Sequence, residues 1–274
     1  MGSTRKIPCI CFIATAVLTL IGAVLRSLCM LLCWDAEVGY FDFGVLPLLM
    51  NLTYPLAIGV AAISAILTPK DALPAEPRLR GRLPLAILMG VALVAFTAVS
   101  AVSLLTAKES DTPASSLGVT VAVLALAAAV YFFLSAKRGG RYPDWLVAVG
   151  FVPIVWSMLA IAETYVDLFV AMNSPIKISL HLGLLGLMLI LITELRIRLG
   201  KTLPRIAMAL LSAGTFLCLT TAIPLLVSVG RDVFVHIRYP LYAAVLLCAG
   251  VYGGALLFSL IFPPRKENQA DPEI

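Results

Sequence analysis

Charge is scarce in this chain: Asp, Glu, Lys and Arg make up 13% of its 274 residues, about half the usual share for a soluble domain. Histidine is nearly absent. His181 and His236 stand in different segments with no Cys or carboxylate set around them, so no metal site is expected. There is no H-E-x-x-H, no P-loop, no G-x-S-x-G and no Gly-rich dinucleotide loop, which removes the enzyme classes those motifs serve. No cofactor is expected. The alternating apolar/polar pattern of a membrane barrel is missing as well. The six cysteines form no zinc or thioredoxin pattern. Cys9-x-Cys11 is too tight and lacks a second pair, and Cys29 and Cys33, one helical turn apart, read as small packing residues.

What is abundant is apolar sequence, 61% of the chain. It falls into runs at Pro8–Cys33, Val45–Thr68, Leu85–Ala107, Leu117–Ala136, Trp145–Met172, Ile178–Leu199, Ile206–Val229 and Leu241–Phe262. Each run has the roughly twenty residues that a helix needs to cross about 30 Å of hydrocarbon. No stretch between them is long enough for a soluble catalytic domain. The first run follows Arg5 and Lys6 but is too long for a signal-peptide core, so it is read as a retained helix. Lys6 stands where a myristoylation signal needs Ser or Thr. The fold class expected is an all-α polytopic bundle of eight spans, one integral membrane domain over residues 1–274, with a polar, disordered cytoplasmic tail at 265–274.

The basic residues give the orientation. Fifteen of the twenty lie at the N-terminus, in alternate loops and in the tail, while Lys108, Lys177, Arg231 and Arg238 lie on the other side and Arg26 lies inside the first span. This bias places both termini in the cytoplasm of a multi-pass cell-membrane protein. The net charge of +5 therefore belongs to orientation and anionic lipid, not to nucleic acid. Spans 1–4 and 5–8 carry faint echoes of each other, Arg80-Gly81-Arg82-Leu83-Pro84 against Gly200-Lys201-Thr202-Leu203-Pro204, and Ala36-Glu37 against Ala162-Glu163. They point to a parallel repeat or to ordinary loop composition.

Two segments carry a resemblance. Trp34-Asp35-Ala36-Glu37-Val38-Gly39-Tyr40-Phe41 and Asn173-Ser174-Pro175-Ile176-Lys177 resemble uncharacterised multi-pass membrane proteins of anaerobic Firmicutes, in a general layout that extends over most of the chain. No activity is assigned to those proteins, so the resemblance implies no functional residue.

The candidate site residues are the ionisable groups at membrane depth, where each unpaired charge costs at least a few kcal/mol. Arg26 lies about 9 Å outward of the middle of its span and Glu163 about 8 Å, by helical rise. Asp167 follows one turn after Glu163. The three are expected to neutralise one another, Arg26 with Glu163 and Asp167 nearer the interface. Thr15, Thr19, Gly22, Arg26, Cys29 and Cys33 share one helical face, which should look into the bundle. Ser179, Gly183, Gly186 and Glu194 in span 6, Thr97, Ser100 and Ser103 in span 3, and Thr215, Cys218 and Thr221 in span 7 form comparable stripes. Such stripes serve helix packing as well as solute routes. Glu194 is a secondary candidate, with Arg198 four residues on for an interfacial salt bridge. Asn51-Leu52-Thr53 opens span 2 and is not a glycosylation site, and Gly250 and Gly254 mark close packing in span 8.

The preferred functional reading is a transporter-like protein built on the Arg26, Glu163 and Asp167 group, with Pro153 and Pro224 breaking two spans. The alternatives are a non-catalytic scaffold or sensor, and a lipid-acting enzyme using the two carboxylates. The partners expected are the bilayer and a small solute or other membrane proteins. Reporter fusions or cysteine accessibility should place Leu73 and Gly139 on the cytoplasmic side and Ser110 and Asp232 outside. Finding Ser110 and Gly139 on one side contradicts the eight-span layout.

Overall fold

In lipid, every backbone N–H and C=O must find its partner inside the protein, and the chain meets this with helices. A computed structural model describes residues 6–35, 38–69, 82–106, 116–136, 142–167, 170–171, 173–201, 203–229 and 238–262. The elements run α1 (Lys6–Leu32), β1 (Trp34–Asp35), β2 (Tyr40–Phe41), α2 (Val45–Leu67), α3 (Arg82–Thr106), α4 (Ser116–Ala136), α5 (Asp144–Val149), α6 (Val152–Val166), α7 (Pro175–Arg198), α8 (Pro204–Val227) and α9 (Arg238–Ile261). Among the described residues eight stretches are long and apolar enough to cross a membrane, α5 and α6 together making one of them. The protein is an all-α multi-pass membrane bundle.

The two ends of the bundle are distinct. One carries the β1–β2 hairpin, where Trp34 pairs with Phe41 and Asp35 with Tyr40. At that hairpin end, Ser174 Oγ before α7 donates to the Gly39 carbonyl at 3.4 Å. At the other, basic end, Arg205 Nε donates to the Thr68 carbonyl at 2.9 Å, and the Tyr142 N–H to the Arg198 carbonyl at 3.3 Å. Gly200 stops α7 there. Its φ of 71° lets its N–H bond the Ile197 carbonyl, and the Lys201 N–H the Arg196 carbonyl, which closes the open end of the helix.

Five helices, α3, α4, α6, α7 and α9, pack in a closed ring. Its filling is aromatic: the Phe96 ring lies 5.6 Å from Trp156 and 4.9 Å from Tyr242, and Phe132 lies 6.1 Å from Tyr252. Helices α1, α2 and α8 pack against one another, and α8 joins them to α7 and α9. The first four spans thus do not form a unit. The α1–α2 pair sits on α8 and the α3–α4 pair on α6 and α9, so the contacts of the two halves do not correspond as a repeat requires. The sequence echoes at 80–81 and 36–37 lie outside the described residues, as does the tail at 265–274.

Two span boundaries are corrected. The fifth span ends at Val166, not Met172, because Asp167 turns to an extended conformation (φ −64°, ψ 114°) as the helix C-cap. Apolar residues continue past that point, so composition does not mark the end. The sixth span begins at Pro175, whose ring is preorganised for a first helical position. Lys177, counted in the loop by the charge pattern, is therefore inside α7. The fifth span is also broken: Pro153 has no N–H to give the Val149 carbonyl, and the chain turns through Gly150 and Phe151 between α5 and α6.

The stripes of small and hydroxyl residues in α7 and α8 face each other. Thr221 Oγ1 donates to the Ser179 carbonyl at 2.9 Å, and Cys218 Sγ approaches the Gly183 carbonyl at 3.4 Å. A Cβ on Gly186 would stand 2.9 Å from the Gly214 carbonyl oxygen, and one on Gly214 2.7 Å from the Gly186 carbonyl oxygen. Backbone meets backbone here, and no rotamer change relieves an added methyl. Gly250 and Gly254 lie on α8 side chains, so that pair also packs within the bundle. Gly186→Ala should destabilise the detergent-solubilised protein by about 1–3 kcal/mol, the usual effect of overpacking, despite the better helix propensity of alanine. Gly59→Ala in α2, where a Cβ meets nothing within 4 Å, should be neutral or stabilise by up to about 1 kcal/mol. Equal thermal-unfolding responses from the two variants would contradict the close approach.

Candidate functional site

The polar face of α1 looks inward as its spacing predicts for Thr15, Thr19, Gly22, Arg26 and Cys29, all buried, whereas Cys33 lies past the helix end at Leu32 and is half-buried. Thr15 and Thr19 satisfy their hydroxyls on the carbonyls one turn back, at 2.9 and 2.7 Å. Arg26 cannot do so and is 3% exposed. Its Nη1 donates to the hydroxyl of Tyr54 on α2, and its Nη2 to the Pro175 carbonyl in the first turn of α7 at 3.0 Å. Its Nε is buried without an acceptor. Tyr54 is held by an edge-on contact of its ring with Phe216 at 5.6 Å.

The carboxylates lie on the other flank of α7. Glu163, in the last turn of α6 and 8% exposed, accepts a hydrogen bond from the Tyr242 hydroxyl of α9. Asp167 accepts one from Tyr239 at 3.0 Å. Positions 239 and 242 are one turn apart on α9, so two tyrosines face two carboxylates across one helix pair. Tyr242 also packs on Phe96 and Trp156, which ties Glu163 to the aromatic filling of the ring.

The expected Arg26–Glu163 ion pair is not formed among the described residues. Arg26 meets a hydroxyl and a carbonyl, both neutral. Matched depth along two helices says nothing of azimuth, and Glu163 faces α9 while Arg26 faces α2 and α7. Nor is Asp167 one helical turn further along the face of Glu163, since the helix ends before it.

Lys177 is the site residue that sequence reasoning missed. It is completely buried and donates to the carbonyls of Asp167 and Val170 at 2.7 and 3.2 Å. It thereby satisfies two non-helical carbonyls between α6 and α7. One turn on, His181 Nε2 lies 3.0 Å from Thr164 Oγ1. The signal for Lys177 was Pro175 two residues earlier, which starts the helix ahead of it; Tyr239 and Tyr242 were signalled by their one-turn spacing.

Glu194 sits at the basic end. It pairs with Arg198 at 3.8 Å, and the Arg198 guanidinium lies 4.8 Å over the Tyr142 ring. The pair was expected at the interface, but both residues are buried, at 0% and 2% exposed, and Tyr142, just ahead of α5, lies on Arg198. It is a local structural pair remote from Arg26. Among the described residues no three His, Cys, Asp or Glu side chains converge as a metal set.

Comparison of the chain with family models, with curated proteins and with solved structures finds no match.

Detergent stability of a double-mutant cycle checks the revised pairing. Arg26→Leu and Tyr54→Phe should show a coupling of roughly 1.5–3 kcal/mol, the range for a hydrogen bond to a charged group. Arg26→Leu and Glu163→Leu should add to within about 0.5 kcal/mol, as independent sites do. Strong coupling between 26 and 163 would restore the ion pair.

Proposed function

We propose that the protein is a transporter-like carrier of a small polar solute in the cell membrane, with its solute site around Arg26 near the hairpin end. The observation that carries this is the electrical environment of Arg26. A permanently charged side chain is buried at 3% exposure with neutral acceptors only among the described residues. A bundle that needed only to be stable would gain by replacing such a charge with an apolar side chain. Its retention favours a role in binding. The break in the fifth span and the prolines inside two continuous helices support the same reading. Pro153 divides the fifth span, and Pro55 and Pro224 each remove a ladder hydrogen bond from α2 and α8. Interrupted spans are the places where carriers bind and move. The bias of basic residues in the sequence supports a hairpin end that faces outward.

One observation favours the second reading, a scaffold or sensor. The backbone contact of α7 with α8 and their interlocked hydroxyls make that part of the bundle rigid. Movement then belongs to the other spans.

Uptake into liposomes carrying the full chain tests the proposal, using labelled glutamate, succinate, phosphate, lysine and glucose as one probe per charge class. At least one class should accumulate above protein-free liposomes, and Arg26→Gln should reduce that uptake at least about tenfold, the equivalent of one lost charge-assisted contact. Folded, reconstituted protein that takes up none of the five contradicts transport and leaves the scaffold.

A further inference from the structure

We infer that Arg26 and Tyr54 form an oxyanion-binding site, for a carboxylate or phosphate group, over which α2 closes. As a solute site it rests on the transport reading and names the chemistry of the solute; as a binding site it is tested separately.

The donors are the first argument. A guanidinium has five N–H bonds and no acceptor. Arg26 directs Nη1 to Tyr54 and Nη2 to Pro175, and its buried Nε has no acceptor. A tyrosine hydroxyl can accept and donate at once. Tyr54 accepts from Arg26, and its own proton has no acceptor among the described residues. Two uncommitted donors, Nε–H and O–H, therefore lie within one hydrogen-bonded pair around a fixed positive charge. Planar guanidinium donors match the oxygens of carboxylate and phosphate, often two at a time.

Charge is the second argument. Lys177, two residues after Pro175, is a second buried cation, and its described acceptors are carbonyls. Both cations thus meet the first turn of α7, where the helix presents its own positive end. Glu163 and Asp167 are engaged by Tyr242 and Tyr239 of α9. Nothing described on the α1–α2 side neutralises Arg26, so an anion entering there gains what a carboxylate side chain would have supplied.

Access is the third argument. Among the eight spans α2 is the least buried. Pro55 follows Tyr54 directly and has no N–H for the Asn51 carbonyl, so the α2 ladder is interrupted beside the residue that holds Arg26. The far end of α2 is fastened by Arg205 to the Thr68 carbonyl. A helix tethered at one end and interrupted at its middle bends at the interruption. Bending at Pro55 carries Tyr54 away from Arg26 and opens the guanidinium, and return of Tyr54 adds its O–H to the bound oxyanion.

An oxyanion can arrive as a dissolved solute or as the headgroup of an anionic lipid. Thermal unfolding of the purified full chain in neutral detergent distinguishes them. One arm adds millimolar succinate, glutamate or phosphate against sodium chloride of equal ionic strength. The other adds phosphatidylglycerol against phosphatidylcholine in mixed micelles. The unfolding temperature of the wild type should rise with ligand concentration in at least one arm, as ligand linkage requires. A rise in the solute arm assigns a dissolved anion, and a rise in the lipid arm alone assigns a headgroup. Arg26→Gln should abolish the rise. Tyr54→Phe, which removes one hydroxyl and keeps the ring contact with Phe216, should shift the half-saturating concentration upward about tenfold. It keeps the test decisive if Arg26→Gln does not fold. The site is overturned if neither arm shifts the wild type, or if Tyr54→Phe responds as the wild type does. Binding without liposome uptake keeps the site and overturns transport. Uptake indifferent to both substitutions keeps transport and overturns the site.

Discussion

Gly186 on α7 and Gly214 on α8 each place a carbonyl oxygen where the other residue would carry its Cβ, so the two helices touch backbone to backbone. Without a hydrophobic force between helices in lipid, such contacts are the main source of attraction. The approach also brings Thr221 to the Ser179 carbonyl and Cys218 to the Gly183 carbonyl. With α7 held on α8, the first turn of α7 receives Arg26 of α1 on its Pro175 carbonyl, while α7 packs on α6 and α9. The partners of Arg26 and Lys177 among the described residues follow from where that turn stands.

Its consequence is separation of charge. Arg26 takes its partners from α2 and the Pro175 carbonyl, whereas the two carboxylates accept from Tyr242 and Tyr239 of α9. Tyrosine hydroxyls serve on both sides, Tyr54 for the cation and Tyr239 and Tyr242 for the anions. A direct ion pair would have cancelled the fields and made the region inert. For Arg26, neutral partners satisfy hydrogen bonds and leave the charge in place. Lys177 has a different task. By binding the Asp167 and Val170 carbonyls it satisfies two backbone acceptors that lie beyond the end of α6.

Rigidity is distributed unevenly. The α7–α8 contact and the aromatic filling of the five-helix ring are close-packed, with Phe96, Trp156 and Tyr242 all buried. Helix α2 lies at the periphery, shares less of its surface with neighbours and contains Pro55. Of the eight spans, α2 therefore has the least packing to lose on bending.

The spans were legible in the amino-acid order because the bilayer imposes them: about twenty apolar residues and an internally satisfied backbone leave little choice. The inward face of α1 was legible from the spacing of Thr15, Thr19, Gly22 and Arg26, since a helix repeats its faces at a known angle. The Glu194–Arg198 pair was legible for the same reason, being local to one helix. The partner of Arg26 was not. Depth is a property of one helix, but azimuth and neighbour belong to the packing of several, and sequence separations of 28 and 149 residues to Tyr54 and Pro175 leave no local trace. The end of α6 was hidden because apolar loop residues resemble apolar helix, and only Lys177 reaching back across the turn reveals the loop. The sequence by itself therefore determined how often the chain crosses and which faces turn inward. Which charges meet was decided by tertiary structure, because the close contact of α7 with α8 sets where the first turn of α7 stands among them.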